Sequence, residues 1–125
     1  MIELRDVLSI HHILIEKIGG SKGVRDQGLL ESAIHRQFAT FSGDELYPHA
    51  VDKAAAILES ILINHPFIDG NKRTAYVLMR LILLEHDMEI NAKEEDKYEM
   101  VIAASTGDLR YDEIRTWIVS HLGPK

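Results

Sequence analysis

Apolar residues recur at helical spacing along most of the chain. From Leu4 to Ile18 they follow the three- and four-residue steps of an amphipathic helix, which predicts a helix over residues 3–18. Gly19-Gly20 should end that helix, and Asp26, a favoured capping residue, should begin a second, shorter one. The N-terminal quarter is therefore predicted to be helical.

Two strongly apolar segments occupy the middle of the chain, and both are long and free of internal Gly and Pro. The first should have Pro48 in its first turn and run to about Asn64, since proline suits a helix start. The second should run from about Asn71 to His86. It is apolar on nearly every face, which predicts a central, buried helix.

The C-terminal third has two further helical patterns. Asn91 and Glu94 have the spacing of a capping box, which predicts a helix over residues 92–105 with Tyr98 in its buried face. Residues 111–122 predict a last helix. The fold class expected from these patterns is all-α, with about six helices.

Two segments lack helical spacing. Residues 37–49 are the least regular, with a turn at Ser42-Gly43-Asp44, and residues 88–91 read as a connector. Phe38 and Phe41 have the spacing of core anchors. No segment strongly predicts a β-strand, although the first of these two allows a short hairpin.

Composition narrows the class of protein. A chain of 125 residues suits one domain, over residues 1–125. The net charge of −6 argues against direct binding of nucleic acid, which favours basic surfaces. The absence of cysteine suits a reducing cytoplasm. No signal-peptide pattern and no apolar run of membrane-spanning length is present, so we expect a cytoplasmic protein without membrane contact.

Polar residues are concentrated in the loop between the two central helices. This loop reads His65-Pro66-Phe67-Ile68-Asp69-Gly70-Asn71-Lys72-Arg73. Pro66 disfavours the helical conformation at His65, so the first helix should stop there with the imidazole facing the loop. Asp69 or Asn71 can cap the helix that follows.

The charges in this loop predict a phosphate site. Lys72 and Arg73 fall in the first helical turn, where the helix dipole disfavours cations and favours a bound anion. Asp69 beside such an anion would be a natural Mg²⁺ ligand, and His65 could accept a proton from an attacking hydroxyl. Taken singly, each of these residues has a simpler interpretation as a cap, a turn or a solvated surface.

The loop resembles the signature of the Fic/Doc superfamily, and the wider sequence is similar to its death-on-curing (Doc) toxin branch. The similar segments are Gly23 to Ala33, Tyr47-Pro48 and Ala103 to Gly107. This resemblance covers nearly the whole chain and implies a compact helical Fic/Doc domain. It also implies ATP and Mg²⁺ as cofactors, with transfer of the γ-phosphoryl group to a threonine of a translation factor of the elongation factor Tu type.

The resemblance also implies roles for individual residues. His65 would be the catalytic base and Asp69 the Mg²⁺ ligand. The nucleotide's phosphates would be held by Gly70, Asn71, Lys72 and Arg73. The segment before the first central helix would form a flap that aligns the target protein. Its exposed apolar contacts would be Phe41, Leu46 and Tyr47.

Two departures from the Fic pattern distinguish γ-phosphoryl transfer from AMP transfer. Fic adenylyltransferases resemble Gly-Asn-Gly-Arg-x-x-Arg at this point, whereas here Lys72 replaces the second glycine and Tyr76 the second arginine. These changes favour the Doc-type kinase over AMP transfer to a protein hydroxyl. Two further interpretations are an inactive Fic-fold binding module and a metal hydrolase, and the metal hydrolase lacks ligands at usable spacing.

The resemblance further implies a partner. An inhibitory helix in this superfamily carries a Ser/Thr followed four residues later by Glu, and no Ser or Thr here has Glu at that position. We therefore expect inhibition in trans by a Phd-like antitoxin whose disordered tail folds on binding.

Overall fold

The computed structural model describes residues 2–124 and is mostly helical. Its helices are α1 (Leu4–Ile18), α2 (Gln27–His35), α3 (Ala50–Asn64), α4 (Asn71–Leu84), α5 (Glu94–Thr106) and α6 (Tyr111–Ser120). A 3₁₀ turn, Arg36–Phe38, follows α2. The predicted six-helix, all-α architecture is confirmed. Among the residues described, no helix combines the length and apolarity needed to cross a membrane.

The core is built around α3 and α4, which pack against each other. Every residue of α3 from Ala54 to Leu62 is buried, and α3 also packs against α2 and α6. In contrast, α4 leaves Lys72, Arg73 and Arg80 exposed. The prediction that α4 is a central helix is confirmed by its packing against α3. The prediction that nearly every face of α4 is buried is wrong, because its charged residues keep part of its surface in solvent, and α3 is the more enclosed helix.

A buried ion-pair cluster ties α3 to its neighbours. Glu59 is 4% exposed and accepts hydrogen bonds from Arg36 Nη1 (2.7 Å) and Arg110 Nε (3.0 Å). Although burial alone would raise the pKa of Glu59, these two guanidinium groups hold that pKa below its ordinary value. A buried carboxylate is tolerated when charged partners satisfy it. We call these three residues the Glu59 cluster.

The irregular segment before α3 contains the short hairpin. Strands β1 (Thr40–Phe41) and β2 (Asp44–Glu45) are antiparallel and joined by Ser42-Gly43, whose φ angles are +52° and +85°. Two positive φ angles are typical of a tight hairpin turn. Phe38 and Phe41 are 38% and 73% exposed, so the prediction that both are core anchors is wrong. Phe41 lies on a hairpin too short to have a second layer over its side chains. Phe38 lies in the preceding 3₁₀ turn, where the Lys53 ammonium is 5.7 Å from its ring centroid.

A second strand pair was not predicted. Strand β3 (Met88–Ile90) pairs antiparallel with β4 (Leu122–Pro124), where a connector and a helix end were expected. The backbone N–H of Asn91 then donates to the His121 carbonyl at 2.7 Å, which extends this pairing. Helix α5 consequently begins at Glu94 with Lys93 as its N-cap residue, and the predicted capping box at Asn91 is wrong.

Candidate functional site

His65 ends α3 in an unusual backbone conformation. Its φ and ψ are +49° and +55°, in the left-handed region, and its N–H still donates to the Ile61 carbonyl at 3.0 Å. Pro66 explains why the helix cannot continue, as predicted. A positive φ at a residue other than glycine is strained, and such strain concentrates at functional sites. The imidazole is exposed and forms no hydrogen bond or ion pair with any residue from 2 to 124.

Arg25 holds this conformation from the loop after α1. Its Nε donates to the His65 carbonyl at 2.7 Å and its Nη2 donates to the Asn64 carbonyl at 2.8 Å. The backbone N–H groups of Arg25 and Asp26 both donate to the Pro66 carbonyl, at 2.7 and 3.1 Å. Carbonyl groups at a helix end lack partners inside the helix, and a cationic donor satisfies them well. The sequence did not predict this role, although Arg25 lies within the Doc-like segment from Gly23 to Ala33.

Phe67 and Asn71 anchor the centre of the loop. The Phe67 side chain is fully buried, and its backbone N–H and carbonyl bond to Asn71 Oδ1 and Nδ2, each at 3.0 Å. Asn71 is itself only 4% exposed. Its side-chain amide is therefore already engaged within the loop, so a phosphate contact at Asn71 would use the backbone N–H.

Asp69 presents an ionised carboxylate. Its Oδ2 accepts the Ser21 N–H at 3.0 Å, and its Oδ1 accepts the Gly70 N–H at 2.8 Å. These two backbone hydrogen bonds lower the pKa of Asp69, so the carboxylate is charged at neutral pH. Each oxygen keeps a lone pair for a hard cation. The exposed carboxylate thus fits the predicted role as a Mg²⁺ ligand.

The N-cap residue of α4 is Gly70, and it has no side chain to cap the helix. The prediction that Asp69 or Asn71 caps α4 is wrong, because the Asp69 carboxylate turns back to the Gly70 and Ser21 amides and Asn71 already lies inside the helix. The φ of Gly70 is +79°, which glycine adopts without strain. The first N–H groups of α4 are consequently available to an anion.

Lys72 and Arg73 are exposed in the first turn of α4, as predicted. Arg73 Nη1 donates to the Gly19 carbonyl at 3.3 Å, which is a weak contact. For residues 2–124, neither cation forms an ion pair within 4 Å of a carboxylate. Two cations near an unsatisfied helix N-terminus form a local excess of positive charge in an otherwise acidic protein.

A cavity of about 840 Å³ gathers the predicted loop residues, and we call it the motif pocket. The loop contributes His65, Asp69, Gly70, Asn71, Lys72 and Arg73. The other walls include Leu14 and Ile18 of α1, Tyr76 and Val77 of α4, and Lys97, Tyr98, Val101 and Ile102 of α5. Tyr98 is 68% exposed, so the prediction that it is buried is wrong. The loop forms the charged wall of this pocket, and α1 and α5 form a mainly apolar wall that also carries the ion pair between Glu94 and Lys97.

Tyr76 lines this pocket with its ring, and its hydroxyl is buried. No group from residues 2 to 124 has full hydrogen-bond geometry to that hydroxyl, although the Lys97 ammonium lies close enough to interact with it. Burial raises the pKa of Tyr76, so the hydroxyl stays protonated at neutral pH. Where the Fic pattern has a second arginine, this chain therefore has an uncharged hydroxyl.

The three predicted flap contacts do not line the motif pocket. Phe41 and Leu46 are 73% and 51% exposed, as predicted. Tyr47 is half-buried, because its hydroxyl accepts a hydrogen bond from Arg36 Nε at 3.0 Å and its ring packs edge-on against Tyr111. The prediction of an exposed contact at Tyr47 is therefore wrong. Across the described part of the chain, no group of three His, Asp or Glu side chains could hold a metal ion by itself.

These features define a class of protein: a helical bundle of the Fic/Doc type, organised around a polar loop between its two central helices. A family model described as "Fic/DOC family" matches residues 1–83, and the chain belongs to this family. Two curated relatives carry the name Doc, which confirms the resemblance to the Doc branch.

The two relatives differ in how much of each chain they match. "Toxin Doc" of Mycolicibacterium smegmatis (strain ATCC 700084 / mc(2)155) is 47% identical over 75 residues, which is 60% of this chain and 55% of that protein. "Protein kinase doc" of Escherichia phage P1 is 26% identical over 109 residues, which is 87% of this chain and 85% of that protein. The first match thus spans about half of the relative's length.

Proposed function

We propose that the protein is a Doc-type toxin of a toxin–antitoxin module and that it transfers the γ-phosphoryl group of ATP to a threonine of a translation factor. The relatives named as a toxin and as a protein kinase support this proposal. The observation that carries it is the charge arrangement of the motif pocket, where Lys72 and Arg73 form no ion pair within 4 Å of a carboxylate from residues 2–124 and lie near an ionised Asp69.

The charged wall of the motif pocket would bind the polyphosphate. Lys72, Arg73 and the first N–H groups of α4 would hold phosphate oxygens, since a helix N-terminus and two cations reinforce each other. Asp69 would hold a Mg²⁺ ion, which would supply charge neutralisation.

His65 would act as the base. The threonine Oγ would form a bond to the γ-phosphorus while the bond from that phosphorus to the β,γ-bridging oxygen breaks, so that ADP leaves. The hydroxyl proton would pass to an imidazole nitrogen of His65, which is exposed and has no competing partner among residues 2–124. A positioned base contributes about 10²–10⁴-fold to such a rate.

The target would be translation elongation factor Tu or a factor like it, reached in the cytoplasm. The hairpin of β1 and β2 exposes Phe41 and precedes Leu46, which is also exposed. Exposed apolar side chains on a small surface element are suited to contact with another protein. These two residues would orient the target threonine toward His65.

A Phd-like antitoxin would control the activity. The apolar wall of the motif pocket includes Leu14, Ile18, Tyr98 and Ile102, of which Ile18 and Tyr98 are 56% and 68% exposed. An antitoxin segment that folds into a helix on binding could bury these side chains and cover the charged wall.

The test compares ATP labelled at the γ-phosphorus with ATP labelled at the α-phosphorus, each incubated with Mg²⁺ and the purified translation factor. The proposal expects label on the factor from γ-labelled ATP alone, and mass spectrometry should find one phosphorylated threonine. His65→Ala should lower the rate about 10²–10⁴-fold while the protein still binds ATP.

Two other results would overturn the proposed kinase. Label from α-labelled ATP would indicate AMP transfer, which Gly70 favours because the Fic pattern also has glycine there. No label from either, together with growth arrest that persists in His65→Ala, would indicate a binding module that acts without turnover.

A further inference from the structure

His11 lies in the middle of α1, on the side of that helix that packs against the motif loop. It is 5% exposed, and its ring stacks on the Phe67 ring with the centroids 3.8 Å apart and an interplanar angle of 5°. Its Nε2 lies 2.8 Å from the backbone oxygen of Asp69. Because a carbonyl oxygen only accepts, Nε2 carries the proton and donates it to Asp69.

We propose that His11 is a positioning residue that locks the peptide between Asp69 and Gly70, and thereby orients the Asp69 carboxylate. The effect on the reaction rests on the proposed function. The lock itself does not, because it concerns only hydrogen bonds within the protein.

The geometry of one peptide unit carries the argument. The Asp69 carbonyl and the Gly70 N–H belong to the same trans peptide, so they point in opposite directions. The carbonyl accepts from His11, and the N–H donates to Asp69 Oδ1 at 2.8 Å. Rotation of this peptide would break both hydrogen bonds together. The donor on α1 thus fixes the direction of the Gly70 N–H and, through it, of Asp69 Oδ1, while the Ser21 N–H holds Oδ2.

Glycine at position 70 makes such a lock necessary. The φ of Gly70 is +79°, and a residue without Cβ adopts positive and negative φ with similar ease. The peptide before it can therefore flip at little cost unless another group holds it. A Cβ at Gly70 would lie 3.5 Å from His11 Nε2 and 3.2 Å from Ile15 Cδ1, which shows how closely α1 packs below this residue.

A purely apolar residue at position 11 would fill the same space without burying polar nitrogens. Burial of a polar group is unfavourable unless it forms a hydrogen bond, and the bond that His11 forms is to the Asp69 carbonyl rather than within its own helix. The neighbouring His12 is exposed on another face of α1, and it serves as a matched control.

The test uses three variants of the full chain without nucleotide. His11→Phe keeps an aromatic ring against Phe67 and removes the donor, and His11→Gln keeps a donor and removes the ring. His12→Phe is the control. The readout is hydrogen exchange and the NMR shift of the Gly70 amide, which reports its bond to the Asp69 carboxylate.

We expect His11→Phe to accelerate Gly70 amide exchange about three- to tenfold, the value of one lost hydrogen bond, while His11→Gln and His12→Phe leave it near the wild-type rate. With Mg²⁺ and ATP, His11→Phe should lower kcat more than it raises KM, and His11→Gln should restore kcat.

Equal Gly70 exchange in wild type and His11→Phe would overturn the lock. Equal acceleration in His11→Phe and His11→Gln would also overturn it, because packing rather than the donor would then be responsible. Should His11→Phe fail to fold, His11→Leu replaces it as the variant without a donor, with the same expected difference from His11→Gln. Loss of kinase activity in every protein, wild type included, with the exchange pattern intact, would reject the proposed function and leave the lock supported.

Discussion

Two pairs of cations lie near α3, and they differ in whether a carboxylate of the protein neutralises them. In the Glu59 cluster, Arg36 and Arg110 share a carboxylate whose side chain is 6% exposed. In the motif pocket, Lys72 and Arg73 have no ion pair with any carboxylate between residues 2 and 124. The first arrangement satisfies its charges within the fold. The second leaves charge available, and we infer that a bound anion completes it.

The largest expected effect comes from breaking the satisfied cluster. Glu59→Gln removes the negative charge and leaves two guanidinium groups against a buried neutral amide. We expect the free energy of unfolding to fall by about 3–5 kcal/mol, measured by denaturant titration. ATP binding per folded molecule should not change. Glu31→Gln, on an exposed position of α2, should alter the free energy of unfolding by less than about 0.5 kcal/mol, and a similar loss in both variants would contradict the comparison.

The same cluster predicts a dependence on pH. Burial would raise the pKa of Glu59, but Arg36 and Arg110 hold it below the ordinary value of 4.5, and Asp52 is held low in the same way by Arg115. A carboxylate with a depressed folded pKa contributes stability above its unfolded pKa, and that stability is lost as the pH falls through the folded pKa. The difference in unfolding free energy between wild type and Glu59→Gln should therefore shrink as the pH is lowered below 4.5.

Removal of an unpaired cation should raise the free energy of unfolding, whereas removal of the Glu59 carboxylate should lower it. Lys72→Ala removes a cation from the positive end of the α4 dipole, so the free energy of unfolding should rise by about 0.3–1 kcal/mol. Its affinity for MgATP, measured by calorimetry, should fall roughly 10–100-fold, because a charged hydrogen bond contributes about 1.5–3 kcal/mol. Lys17→Ala, at the end of α1, should leave that affinity unchanged. A Lys72→Ala protein that is less stable than wild type and binds MgATP with unchanged affinity would contradict the comparison between Lys72/Arg73 and the Glu59 cluster.

A last substitution extends the comparison to the backbone of the motif loop. Gly70→Ala places a Cβ at a φ of +79° and 3.2 Å from Ile15 Cδ1, so it should lower the free energy of unfolding by about 1–2 kcal/mol. Gly28→Ala provides the control, because Gly28 lies within α2 and has no positive φ. This substitution should raise the free energy of unfolding by about 0.5–1 kcal/mol. Thermal unfolding of both variants would show opposite shifts. Shifts of the same sign would contradict the argument that Gly70 requires the left-handed conformation.

Local signals made the helices and the end of α3 predictable. Helical spacing and the pair His65-Pro66 act within a few residues, so they remain visible in the sequence. The strand pair β3 and β4 was not predictable, because its three-residue strands come from distant parts of the chain and neither has a strong pattern alone. Tyr98 was misplaced for a related reason: its helical face is apolar, but it meets an open pocket.

The sequence by itself determined the motif loop, because its imidazole, carboxylate and cations are neighbours along the chain. Only the tertiary structure decided what holds that loop, since Arg25 reaches it across 40 residues and His11 across 58. It also decided which charges are neutralised, because the burial of Glu59 between Arg36 and Arg110 depends on how α2, α3 and α6 pack. Neighbouring positions in the sequence show which polar groups can act together in the loop. The side chains that orient those groups or neutralise their charge come from distant segments, so only the folded structure shows them.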